Sequence, residues 1–174
     1  DSTLHADELV SDDATQLWEA AGRPLGLGHV CPQRFEAAVA PDEAARREGK
    51  EIDVDLLLGG IEAWREHCDT LIVEGAGGLF SPLADQVLNV DLYQQISGAK
   101  LLLVAPNRLG VIHDVIASCR GAAQTGIAVD HLYLSAVAPI GDASSKTNSQ
   151  QIRKWCPEID VTELDWEGQV PVLG

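Results

Sequence analysis

The stretch from Asp69 to Gly78, DTLIVEGAGG, constrains the fold of this chain more than any other segment. Residues 70–73 are apolar or β-branched, and Glu74 and a glycine-rich tetrapeptide follow them directly. This pattern predicts a buried strand that ends in a loop without bulky side chains. At the carboxyl end of a parallel strand, a carboxylate can hold a divalent cation and glycine N–H groups can approach phosphate oxygens. Glu74 is therefore the first candidate functional residue, with a strand-ending acid that caps the next turn as the alternative.

The charge of the chain argues against two classes of partner. Of its 174 residues, 12 are Lys or Arg and 27 are Asp or Glu, so the formal net charge is −15. This charge repels nucleic acids and anionic lipid, although a solvated acidic surface explains much of it. No apolar run reaches the roughly 20 residues of a membrane-spanning helix. We expect a cytoplasmic protein with no nucleic-acid or membrane partner.

The length of the chain fits one domain with a substantial hydrophobic core. Its cysteines lie far apart and lack the close pairs of a zinc site, so we expect reduced, mostly buried thiols. They are Cys31, Cys68, Cys119 and Cys156.

Strand and helix patterns alternate from residue 70 onward and predict the fold class. The run 100–106 is apolar without alternation, which predicts a strand buried on both faces. Further strands are predicted at 131–138 and, more weakly, at 161–164 and 170–173. Helices are predicted after Ser11, Pro41 and Asp53, and at 91–96, 111–123 and 150–155. With right-handed crossovers, this order gives a doubly wound, mainly parallel α/β sheet with flanking helices.

Several segments, taken in order, resemble the dethiobiotin synthetase family. They are the residues 11–14 (SDDA), the run 31–49, the residues 73–83 (VEGAGGLFSPL) and the residues 102–110 (LLVAPNRLG). The glutamate–glycine segment is the most specific of them. The resemblance implies a P-loop NTPase-like, three-layer α/β/α domain that uses ATP and Mg²⁺. The implied reaction carboxylates 7,8-diaminononanoate with CO2 and closes the ureido ring of dethiobiotin, and the implied assembly is a homodimer.

The same resemblance implies roles for residues near the metal and the phosphates. Glu74 looks like the Mg²⁺ ligand, and Asp13 looks like a second acidic group near the metal and the nucleotide. Gly75, Ala76 and Gly77 resemble the loop that passes beside the phosphates. For Asp13, an acid that complements the helix dipole in a first turn is the alternative.

Two other segments resemble ligand-binding parts of the family. The first is similar to the site for the substrate carboxylate and consists of Leu109, Gly110, Val111 and Ile112. Backbone N–H groups at a helix start suit an anion, whereas a tight turn that needs glycine is the alternative for Gly110. Ser135 and Ala136 stand where the family has an asparagine-led pair that reads the adenine, which leaves the identity of the nucleotide open.

The chain also departs from the family. Its 174 residues contain neither the phosphate-binding pattern Gly-x-x-x-x-Gly-Lys-Thr nor the lysine-bearing strand that follows it. The segments 44–51 and 141–147 resemble that pattern only in part, and the second is expected to be a polar loop that caps a helix. We expect a fragment that is incomplete at both ends, with a reduced homologue as the alternative.

Two other functions remain open from the sequence. A related domain that amidates cobyrinic acids would share the glutamate–glycine loop, but no cysteine here lies in the strand-to-helix turn that a glutaminase nucleophile needs. A non-catalytic regulatory or interaction domain of the same fold would lack the phosphate loop, as this chain does.

Overall fold

A computed structural model of the chain describes residues 2–5, 8–23 and 25–168. The chain divides into two compact units, unit 1 up to Ser97 and unit 2 from Gly98 onward. Within the described residues, no helix combines the length and the apolar character that crossing a membrane requires.

Within its described residues, unit 1 contains four α-helices and two small antiparallel hairpins. The first hairpin consists of β1 (Ser2–His5) and β2 (Glu8–Ser11), and the second of β3 (Pro82–Ala84) and β4 (Val87–Leu88). The helices are α1 (Asp12–Ala20), α2 (Pro41–Arg47), α3 (Val54–Trp64) and α4 (Asn89–Tyr93), and a 3-10 turn covers Leu27–His29. Neither hairpin was predicted from the sequence.

Three of the helix starts predicted in unit 1 are confirmed, two of them by side-chain caps. The Ser11 hydroxyl accepts the N–H of Ala14 at 3.3 Å and opens α1. The Asp53 carboxylate accepts the N–H of Leu56 at 2.9 Å and opens α3, and α2 begins at Pro41. These side chains satisfy N–H groups that have no partner inside the helix, which is why the sequence pattern locates them.

Unit 2 contains a parallel three-stranded sheet in the order β5 (Leu102–Pro106), β6 (His131–Ser135) and β7 (Asp160–Leu164). Helix α5 (Val111–Gln124) connects β5 to β6, and α6 (Ser145–Trp155) connects β6 to β7. Pro106 pairs with Ser135 and Ser135 with Leu164, so all three strands end at the same level. The side chains of Leu132, Leu134 and Ile152 are fully buried in the core of the unit. The α/β fold class with a parallel sheet and flanking helices is confirmed.

Two predictions about strands are wrong. Residues 70–73 form no strand, and the side chain of Ile72 is 71% exposed. A strand needs a hydrogen-bonded neighbour, and no described residue pairs with this segment. Strand β5 is not buried on both faces, because nothing described covers the face that carries Val104, which is 71% exposed. It is also the edge strand of the described sheet.

Other differences concern the ends of the elements. Helix α4 begins at Asn89 and ends at Tyr93, β6 ends at Ser135, and α6 begins at Ser145, five residues before its predicted start. The prediction for residues 161–164 is confirmed within β7. The predicted strand at 170–173 lies outside the described residues.

Candidate functional site

The loop from Glu74 to Ser81, here called the glycine loop, has its shape fixed by two side chains of unit 1. The Asn89 amide donates to the carbonyl oxygens of Ala76 at 2.8 Å and Gly78 at 2.9 Å. The Ser81 hydroxyl accepts the N–H of Gly78 at 2.9 Å, and the Ser81 N–H donates to the Gly78 carbonyl at 2.9 Å. These four hydrogen bonds hold the glycine part of the loop, and the N–H groups of Asn89 and Val90 add two more to the carbonyls of Ser81 and Leu79.

The glycine loop leaves several polar groups available to a ligand. Glu74 is exposed, and its carboxylate has no hydrogen-bond or ion-pair partner among the described residues. The backbone N–H groups of Gly75, Ala76 and Gly77 also have no acceptor there. Gly77 has a φ of +80°, a conformation that a residue with a side chain adopts only under strain. A carboxylate beside three free amides suits a cation that neutralises a phosphate.

Asp13 lies in the first turn of α1, and its carboxylate is exposed. Among the described residues, no group of three or more His, Cys, Asp or Glu side chains could hold a metal ion. Single exposed carboxylates such as those of Asp13 and Glu74 are donors that suit Mg²⁺, which commonly binds one or two carboxylates and completes its shell with phosphate oxygens and water.

Unit 2 has a candidate site of its own, an open cleft of 470 Å³. It lies where the three parallel strands end, the edge at which α/β sheets bind ligands. Asn107 follows β5, Ala136 follows β6, and Trp166 follows β7, and all three line the cleft. Lys146, from the first turn of α6, adds a cationic side chain.

The loop before α5, residues 107–110, offers a ligand backbone N–H groups rather than a carboxylate. Gly110 caps the helix with a φ of +98°, and Leu109 is 77% exposed. The N–H of Leu109 donates to Asp142 and that of Val111 donates to the Arg108 carbonyl at 3.2 Å. The N–H groups of Gly110 and Ile112 have no acceptor among the described residues. These two N–H groups are the ones that an anion can use here.

Several known proteins are similar to this chain. A family model described as an AAA domain matches residues 9–174. The ATP-dependent dethiobiotin synthetase BioD of Rhodopirellula baltica is 44% identical over 163 residues, which cover 88% of this chain and 64% of the relative. The protein of the same name from Anaeromyxobacter dehalogenans (strain 2CP-1) is 31% identical over 158 residues, which cover 91% of this chain and 70% of the relative.

The chain belongs to the dethiobiotin synthetase family. A further relative with that name, from Phenylobacterium zucineum, is 38% identical over 120 residues, 66% of this chain and 51% of the relative. The chain thus spans between 51% and 70% of the length of these three dethiobiotin synthetases. The resemblance noted in the glutamate–glycine segment is confirmed at the level of the family.

The residues predicted by analogy with dethiobiotin synthetases fall into two groups. Unit 1 holds Asp13, Glu74 and the residues 75–77, and unit 2 holds the residues 109–112 and 135–136. Ala136 lines the cleft, and Ser135 ends β6, where its carbonyl accepts the N–H of Asn107 at 2.8 Å. The roles of all these residues stay predictions.

Two side chains of the segment predicted to bind the substrate carboxylate lie at least partly in the interior of unit 2. The Val111 side chain is fully buried, so it belongs to the core of unit 2. Ile112 is half-buried. The available groups of this segment are therefore backbone N–H groups rather than side chains.

Three positioning residues were not identified from the sequence. Asn89 holds the glycine loop, as described above. Asp142 accepts the N–H of Leu109 at 3.1 Å, and Asn148, 2% exposed, donates to the side chain of Asn107 at 2.9 Å. These contacts join residues 11 to 41 positions apart, and short-range patterns carry no signal for them. The cap pattern of residues 141–147 predicted only the start of a helix.

Proposed function

We propose that this chain takes part in the ATP- and Mg²⁺-dependent closure of the ureido ring of dethiobiotin from 7,8-diaminononanoate and CO2. Its similarity to three proteins named ATP-dependent dethiobiotin synthetase supports the reaction. The observation that carries the proposal is the glycine loop, where the free Glu74 carboxylate adjoins three free N–H groups. Phosphoryl transfer depends on positioning and charge neutralisation, and this loop offers both kinds of group.

Each predicted residue has a physical role in this proposal. The carboxylates of Glu74 and Asp13 would hold Mg²⁺, which lowers the repulsion between the phosphate oxygens. The N–H groups of residues 75–77 would bind phosphate oxygens, in keeping with their lack of an acceptor among the described residues. The N–H groups of Gly110 and Ile112 would bind the carboxylate of 7,8-diaminononanoate.

The cleft of unit 2 is the proposed site of the nucleotide base. Trp166 is 43% exposed and offers an aromatic face, and Lys146 offers a cation at the rim. Ser135 and Ala136 bring no amide side chain to this cleft, so base recognition would rely on backbone groups and on neighbouring side chains such as Asn107. We also propose a homodimer and a single family domain, as the resemblance implies.

A non-catalytic domain of the same family is the second candidate. The observation that favours it is the lack of a Gly-x-x-x-x-Gly-Lys-Thr sequence in these 174 residues. This candidate predicts no heat of binding when ATP and Mg²⁺ are titrated into this chain in a calorimeter. Tight binding would contradict it. The names of the relatives favour dethiobiotin synthesis over the amidation of cobyrinic acids.

The proposed enzyme is tested by neutralising one carboxylate at a time in the full-length protein. Glu74→Gln and Asp13→Asn should each lower Mg²⁺-dependent formation of dethiobiotin on the order of 100-fold. Thermal stability should not change for Glu74→Gln, because the carboxylate has no partner among the described residues. Asp12→Asn is the matched control, since Asp12 is an exposed acid in the same turn of α1 and should keep full activity. An unchanged rate in Glu74→Gln would contradict the proposal.

A further inference from the structure

Asn89 is an unusual side chain for the start of a helix. It is only 8% exposed, and it does not cap its own helix α4. Instead, its amide nitrogen donates to two carbonyl oxygens of the glycine loop, those of Ala76 and Gly78. A buried amide that reaches back 11 to 13 residues fixes the path of the loop rather than that of the helix.

The orientation of this amide is determined by its partners. Two carbonyl oxygens lie within 2.9 Å of the nitrogen, so exchanging nitrogen and oxygen would place an acceptor against two acceptors. The oxygen Oδ1 consequently remains buried with no hydrogen-bond partner in the described part of the chain. An unsatisfied buried acceptor costs stability, and such costs are common where a protein holds a functional group in place.

Gly75 completes the arrangement from the other side. A Cβ atom at this position would lie 3.2 Å from Cγ of Asn89 and 3.4 Å from its Oδ1, closer than most real contacts of this kind. The absence of a side chain at Gly75 therefore lets the amide of Asn89 pack directly against the backbone of the loop. Positions 75 and 89 depend on each other sterically.

We propose that Asn89 is the positioning residue that directs the N–H of Gly77 in the glycine loop toward a polyphosphate. In a trans peptide, the C=O and the N–H point in opposite directions. Because Asn89 holds the Ala76 carbonyl, the N–H of Gly77 in the same peptide unit points away from Asn89. Without this hold, the peptide can rotate and present its carbonyl oxygen, which repels a phosphate. The identity of the ligand rests on the proposed function, whereas the order of the loop does not.

The rest of the local structure should survive the loss of this amide. The Asn89 and Val90 backbone N–H groups donate to the carbonyls of Ser81 at 3.1 Å and Leu79 at 2.9 Å, and these bonds do not need the side chain. The N–H of Leu88 donates to the carboxylate of Asp91 at 2.7 Å and supports the start of α4. Substitutions at Asn89 therefore separate the position of the loop from the presence of the helix.

The decisive variant is Asn89→Asp, which keeps the size of the side chain and removes the donor. We expect amide hydrogen exchange of Gly78, whose N–H is bonded to the Ser81 hydroxyl, to accelerate at least about tenfold, and the KM for ATP in the full-length protein to rise by a similar factor. The KM for 7,8-diaminononanoate should stay the same, because the N–H groups of Gly110 and Ile112 do not depend on Asn89. If Asn89 had a merely structural role, the substitution would lower the melting temperature and would not raise the KM for ATP selectively over the KM for 7,8-diaminononanoate.

The control and the second variant keep the result interpretable. Gln95→Glu makes the same amide-to-acid change at an exposed side chain, whose amide donates to the Asp91 carbonyl at 3.2 Å, and should alter neither measurement. Gly75→Ala crowds Asn89 from the opposite side and should reproduce the faster exchange if Asn89→Asp does not fold. Unchanged exchange of the Gly78 amide in a folded variant overturns the proposal. If the wild-type protein shows no ATP turnover, the proposed function fails and the exchange measurement still tests Asn89.

Discussion

The carboxylate of Asp142 accepts the backbone N–H of Leu109 at 3.1 Å, across 33 residues of sequence. Its other oxygen accepts the N–H of Ser144 at 2.8 Å and the N–H of Ser145 at 3.0 Å. One side chain therefore joins the loop before α5 to the start of α6. Leu109 belongs to the proposed substrate segment and Ser145 lines the cleft, so Asp142 connects two parts of the site in unit 2.

Protonation of Asp142 should weaken this connection. The hydroxyl of Ser144 and then the N–H of Leu109 stabilise the carboxylate and lower its pKa in the folded protein. A lowered pKa gives stability that is complete above the ordinary value of about 3.9 and is lost as the pH falls through the folded value. We expect Asp142→Asn to reduce this acid dependence. The melting temperatures of both proteins from about pH 3 to about pH 7 test it, and parallel curves would contradict it.

The left-handed backbone at Gly77 should make this position intolerant of a side chain. Its φ is +80°, and a Cβ atom there would lie 2.7 Å from the Ser81 hydroxyl oxygen. Gly77→Ala should lower the free energy of unfolding by about 1–3 kcal/mol, as measured by urea denaturation. Gly78→Ala is the matched control, because its Cβ would lie 3.8 Å from the same oxygen at an ordinary φ. Equal effects of the two substitutions would refute this explanation.

The core of unit 2 should depend on Leu134. Its side chain is fully buried on β6, immediately before Ser135. Leu134→Ala should cost about 2–5 kcal/mol of unfolding free energy, because it removes apolar contacts and leaves a cavity. Ile140→Ala should change that energy by about 0.5 kcal/mol or less, since Ile140 is 88% exposed. A small effect at Leu134 in the same urea experiment would mean that the core lies elsewhere.

The cysteines should differ in reactivity according to their burial. Burial, followed by the proximity of Cys156, raises the pKa of the Cys119 thiol to about 12. Burial also raises the pKa of Cys156. Because the thiolate is the reactive form, Cys119 and Cys156 should resist iodoacetamide in the folded protein, whereas the half-buried Cys68 reacts first. Mass spectrometry after timed alkylation gives the order of labelling. Modification of Cys119 as fast as Cys68 would contradict it.

The raised pKa of the Cys119 thiol also predicts a loss of stability in alkaline solution. Its pKa is higher in the folded protein than the value of about 8.5 for an unfolded cysteine. The stability is therefore complete below about pH 8.5 and falls as the pH rises toward the folded value, because only the unfolded chain releases the proton readily. Cys119→Ala should reduce this alkaline dependence of the melting temperature. An identical alkaline profile in the variant would count against it.

The features that the sequence predicted are the ones that neighbouring residues determine. Ser11 and Asp53 bond to N–H groups three residues ahead, so a short pattern suffices to locate both helix starts. Residues 70–73 have the composition of a strand, but a strand also needs a partner that composition does not supply. The pattern therefore identified the glycine loop correctly and the element before it wrongly.

The contacts that organise the candidate site are long-range. Asn89 follows a short strand and precedes Asp91, and this local pattern predicts only an ordinary helix start. Asp142 stands before two serines, and its local hydrogen bonds give no sign of the contact with Leu109. Family resemblance supplied the residues predicted to bind ligands, and only the three-dimensional structure shows the residues that hold them.

The hydrogen bonds from Asn89 have a consequence for protein engineering. The segment 74–81 does not carry its own conformation, because part of the information lies in a side chain outside it. A transplant of these eight residues into an unrelated scaffold would deliver the carboxylate and the glycines without the geometry that makes them useful. The smallest portable piece of this chain extends through α4.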